Sequence, residues 1–82
     1  AHAADSQAWL LSATLARRQD RLAEAQGFIE QAALLAPADP AIGLEAGVIA
    51  ALAGRDSAAR ASFASVIAAA PESEEAVQAQ AS

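Results

Sequence analysis

Apolar positions along this chain recur at steps of three and four. Leu22, Ala25, Ile29, Ala32 and Ala36 form one such series, and Ala59, Phe63, Val66 and Ala70 form another. Each series gives its segment a single core-facing helical stripe. Start signals bracket the stripes: Asp5 and Ser6 before a first segment, Asp39 as an N-cap ahead of Pro40 in a first turn, and Asp56 with Ser57 before a fourth. Breaks fall at Gln19 to Arg21, Pro37 to Asp39, Gly54 to Arg55 and Pro71 to Glu72. The pattern predicts helices over about residues 6–18, 22–35, 40–53, 57–69 and 73–80. In the last of these, Glu72, Glu74 and Glu75 oppose the positive end of the helix dipole, so it reads as a true helix start cut short. The most apolar run, Ala41 to Ala53, is interrupted by Glu45 alone. A bilayer span needs about 20 apolar residues, so this run predicts a buried helix and no membrane insertion.

These positions also repeat over a longer distance. Pro37 and Pro71 lie 34 residues apart, as do Ala25 and Ala59, Ile29 and Phe63, Trp9 and Gly43, Ala13 and Gly47, and Asp20 and Gly54. A fixed period of that length marks a stacked repeat array. We therefore expect one domain over residues 6–82 behind a disordered segment 1–5, with repeat 1 at about 6–39, repeat 2 at about 40–72 and a capping or truncated helix at 73–80.

The series Trp9, Ala13, Ala16, Ala25, Ile29, Ala32, Pro37 and then Gly43, Gly47, Ala50, Ala59, Phe63, Val66, Pro71 resembles two consecutive tetratricopeptide repeats over residues 6–71. Departures from the family pattern are Ser12 and Ala46 in place of Leu, Ala16 and Ala50 in place of Tyr, and Val66 in place of a small residue. The resemblance implies an all-α fold, antiparallel helix hairpins stacked as a short right-handed α-solenoid of about five helices. It also implies a concave groove, lined by the first helix of each hairpin, in which a protein or peptide docks.

Composition sharpens this picture. About a third of the residues are Ala, and Trp9, Phe28 and Phe63 are the only rings, a balance that suits closely packed helices and not a sheet. Ten carboxylates against five arginines give a net charge of −5, which argues against a nucleic-acid or anionic-membrane surface. With no Cys there is no disulfide and no thiolate metal site. The chain also lacks Met, which leads us to expect a processed or excised piece of something longer. Ala1, His2 and Ala3 fit a small-x-small processing site, a match that an Ala-rich chain produces by chance. The Ala-rich, Lys-free composition suggests a GC-rich bacterial source and leaves cytoplasm and periplasm equally open.

Candidate chemistry is sparse. His2 is the one histidine, at a terminus where side chains are solvated, and the glycines form no phosphate loop. Asp20 with Glu24, and Glu72 with Glu75, have helical spacing but read better as solvated caps. We expect no enzyme, no cofactor and no metal site. The basic cluster Arg17, Arg18 and Arg21 suits the carbonyl end of the first helix, and alternatively Arg17 faces the groove to pair with an acidic partner.

The expected groove takes Leu10, Thr14 and Arg17 from the first helix and Leu44, Val48, Ala51 and Leu52 from the third. Family members that clamp a C-terminal carboxylate carry Lys, Asn and Arg at these places. Leu10 and Thr14 stand at the first two, which disfavours that mode and favours an apolar peptide or an amphipathic partner helix. The same apolar face could instead be covered by the fifth segment, by other parts of a longer chain or by a second copy, since such arrays usually need about three repeats. The rival functional reading is a structural or dimerisation appendage of a larger enzyme or envelope assembly protein.

Overall fold

A computed structural model describes residues 5–71 and 73–81. Among them the chain forms five helices and no strand: α1 (Ser6–Arg18), α2 (Leu22–Leu35), α3 (Pro40–Leu52), α4 (Asp56–Ala69) and α5 (Glu74–Ala81). The first residues of α1, α3 and α5 are each 34 apart, and α4 is α2 displaced by the same step.

The caps keep that period. Asp5 Oδ1 accepts from the amides of Gln7 and Ala8 at 3.0 and 3.3 Å, and Asp39 Oδ1 accepts from that of Ala41 at 3.0 Å. Ser73 Oγ accepts from the Ala76 amide at 3.0 Å and donates to the Ala70 carbonyl at 2.7 Å. Each satisfies amides that the first helical turn leaves without partners. Ser73 was not among the expected caps. Glu72, and residues 1–4 of the expected disordered segment, lie outside the described residues.

The turns inside each hairpin are also copies of one another. The Asp20 amide donates to the Arg17 carbonyl at 3.0 Å and the Arg21 amide to that of Ala16 at 2.8 Å. The amides of Gly54 and Arg55 donate to the carbonyls of Ala51 and Ala50 at 3.1 and 2.8 Å. This closing pattern needs a left-handed residue at its centre, supplied by Asp20 at φ 60° and Gly54 at φ 77°. Arg21 and Arg55 are then the N-caps of α2 and α4, without side-chain capping bonds. Asp56, expected before α4, is instead its first residue, because the turn leaves only Ala53, Gly54 and Arg55 between helices. For the same reason α3 stops at Leu52, one residue short of its expected end.

α1 packs along α2 and α3 along α4; α3 also contacts α1 and α2, and α5 contacts α3 and α4. With four neighbours, α3 has little free surface, which accounts for an apolar run with no clear stripe. Ile42 and Ile49 join Ala13, Ala16, Ala25, Ile29 and Ala32 in one core cluster, while Val66, Ala76 and Ala79 form a second against Leu44, Phe63 and Ile67. Burying Ile29 and Ile49 stabilises the fold by about 2–3 kcal/mol each. The Cα radius of gyration is 11.6 Å, close to the roughly 12 Å of a compact chain of this length.

The two hairpins distribute bulk differently across matched positions. In the first, Trp9 and Phe28 bring their ring centroids to 6.0 Å. Gly43 and Ser62 stand 34 residues on, and there the bulk comes from α4 instead. An ideal Cβ on Gly43 would lie 2.7 Å from Val66 Cγ2, and one on Gly47 2.6 Å from Phe63 Cδ1. Filling of the interface, and not the identity of the filler, is what the repeat preserves.

Candidate partner-binding groove

Helical spacing places Leu10, Thr14 and Arg17 on one face of α1, and Ala41, Leu44 and Val48 on the matching face of α3. α5 adds Glu74, Glu75 and Gln78, and together these side chains and Glu45 line an open cavity of about 360 Å³. Leu10, Leu44 and Gln78 are the same repeat position in three successive odd-numbered helices, and Thr14 and Val48 are a second such position in the first two of them. The cavity is thus a row of equivalent positions laid side by side.

Of the seven residues expected in the groove, the structure gathers Leu10, Thr14, Arg17, Leu44 and Val48. Ala51 lines a separate cavity of about 190 Å³ with Ala59, Arg60 and Phe63, and Leu52 lies exposed at the end of α3 without lining either one. The fifth helix partly covers the third, since Leu44 packs against the cluster of Val66, Ala76 and Ala79.

Glu45 is the residue that the sequence reading passed over. Its carboxylate accepts from Arg17 Nε and, at 3.3 Å, from Arg17 Nη2, a side-on pair joining α3 to α1. Thr14 Oγ1 lies 2.9 Å from Glu45 Oε1 and 3.0 Å from the Leu10 carbonyl, and its single proton serves one of these acceptors at a time. The two charged side chains are 24% and 10% exposed. Arg17 therefore faces the groove as one of the two expected roles requires, but its acidic partner is in its own chain. A signal existed in the sequence: a lone carboxylate inside an apolar helix needs a cation or hydrogen-bond donors.

Because Arg17 and Glu45 cancel, the lining keeps the charge of Glu74 and Glu75, neither of which pairs with a cation among the described residues. The groove sets an apolar strip of Leu10, Ala41, Leu44 and Val48 beside Thr14 and the Arg17–Glu45 pair, with an acidic rim at α5. The other singled-out groups lie elsewhere: Arg18 is exposed, Arg21 Nη1 meets Glu24 Oε2 at 3.8 Å on the surface, and Asp20 sits in its turn. His2 lies outside the described residues. Among the described residues no helix is long and apolar enough to cross a membrane, and no group of three or more His, Cys, Asp or Glu is placed to hold a metal ion.

In comparison with known proteins, the chain matches no protein-family model, no curated protein and no solved structure.

Proposed function

We propose that this chain is a protein-interaction module of the tetratricopeptide type, a short right-handed solenoid that catalyses no reaction. Its groove holds an amphipathic segment of a partner protein. The observation that carries this reading is the row of Leu10, Leu44 and Val48 along one cavity spanning α1, α3 and α5. The 34-residue recurrence of helix bounds, caps and turns supports the repeat assignment. The rim sharpens the partner: apolar anchors fit the strip, and Lys or Arg beside them meets Glu74 and Glu75.

The test is a set of fluorescent amphipathic peptides with equal apolar content and basic, neutral or acidic flanks, titrated with the protein. Basic peptides are expected to bind best, more weakly as salt rises. Val48→Gln should weaken them about tenfold or more, and Glu74→Gln with Glu75→Gln should erase the preference for basic flanks. Equal weak binding of all three sets, unchanged by Val48→Gln, sinks the reading.

A second reading, a structural or dimerisation appendage of a larger enzyme or envelope assembly protein, is favoured by the exposed Leu11, Leu15, Leu34 and Leu52. Molar mass across a concentration series tests its self-association form.

A further inference from the structure

Matched positions in α1, α3 and α5 differ in one respect. Ile49 of α3 is 0% exposed, and Glu45 and Ala79, one repeat apart, are nearly buried as well. Their equivalents in α1 are Leu15 and Leu11, which are 48% and 60% exposed. Ile49 lies in one core cluster with Ala25, Ile29 and Ala32 of α2, and Ala79 in another with Val66 of α4, so each is covered where its helix packs on the second helix of the hairpin before it, while Glu45 is covered by Arg17 and Thr14 of α1. In α1 the same row carries two leucines and, among the described residues, meets no such helix.

We propose that the Leu11–Leu15 face of α1 is a stacking surface for the second helix of another hairpin of this same 34-residue kind, an Ala-rich helix of the α2 type presenting the apolar side that α2 turns to α3. Neither Leu11 nor Leu15 lines the groove, so the proposal stands or falls apart from the groove reading. A second copy of this chain is the poorer occupant, because its α2 and α4 are already covered by α3 and α5. The α2–α3 and α4–α5 packing states the chemistry that such a neighbour would have: small, apolar and helical, continuing the core by one more step.

The experiment adds that neighbour. A chain of residues 1–38 followed directly by residues 5–82 has one more hairpin, joined where Ala38 meets a capping Asp as it does at Asp39. This fusion is expected to melt above the parent by roughly 10 °C. Leu15→Glu in its inner copy should lower Tm by roughly 10 °C, while the same change in its outer copy, or in the parent, should lower Tm by under about 2 °C. Equal losses in the two copies overturn the proposal, as does a fusion that melts no higher than the parent. A parent that sediments as a dimer and becomes a monomer on Leu15→Glu also overturns it, assigning the face to a second copy.

Discussion

Asp20 and Gly54, 34 residues apart, hold the same left-handed backbone, at φ 60° and 77°, at the centre of the same two-bond turn. Only Gly54 is the residue that this conformation prefers. Asp20 bears the steric cost of its Cβ and also sets a carboxylate beside the negative end of α1. Asp20→Gly is therefore expected to stabilise the fold by about 0.5–1 kcal/mol, and Gly54→Ala to destabilise it by about 1–2 kcal/mol. Urea denaturation of the two variants checks both signs, and a loss of stability in Asp20→Gly would show that the carboxylate has a role that the turn does not reveal.

Glycines inside helices give opposite outcomes according to what faces them. A Cβ at Gly27, in α2, would meet nothing within 4 Å, whereas one at Gly47 would collide with the Phe63 ring. Gly27→Ala should gain about 0.5–1 kcal/mol from helix propensity alone. Gly47→Ala should lose about 1–3 kcal/mol net, since overpacking exceeds the propensity gain. Thermal melts of both variants, with Phe63→Leu added to the second, test the cause, because a smaller side chain at position 63 should return part of the loss.

Period and stripes were legible in the sequence because both depend on residue size at fixed spacing: Ala25, Ile29 and Ala32 are buried as their series predicts. The placement of Leu10, Leu44 and Val48 along one cavity follows from the same spacing. Less legible was anything that depended on two segments meeting. Glu45 finds Arg17 across a gap of 28 residues, a pairing that no local spacing encodes. Arg55, not Asp56, caps α4 because the turn borrows its amide, and Ser73 takes the cap of α5 directly before the carboxylates of its first turn. Leu52 was assigned to the groove on periodicity alone, whereas the part of α3 that lines the cavity ends at Val48.

α5 is short for an independent helix and depends on its cap and on the burial of Ala76 and Ala79. Ser73→Ala removes the bond to the Ala76 amide and is expected to cost about 1 kcal/mol. Its effect should be local: amides of α5 exchange faster by roughly fivefold, while those of α2 and α3 keep their protection. Hydrogen exchange by residue distinguishes this from global destabilisation, in which all five helices would respond together.

The Arg17–Glu45 pair joins α1 to α3 at the floor of the groove, and its worth depends on both members being present. Arg17→Leu leaves the Glu45 carboxylate with the Thr14 hydroxyl as its only side-chain partner among the described residues, and should cost about 2–3 kcal/mol. Glu45→Leu restores the residue type found one repeat earlier, at Leu11. It leaves Arg17 more free to reach solvent on its long stem, so it should cost less. The double variant Arg17→Leu with Glu45→Leu is expected to match or exceed the parent in stability, since apolar contact between α1 and α3 replaces a pair that had to be desolvated. A double-mutant cycle by chemical denaturation measures the coupling; additive losses would mean that the two side chains are held by their separate surroundings and not by each other.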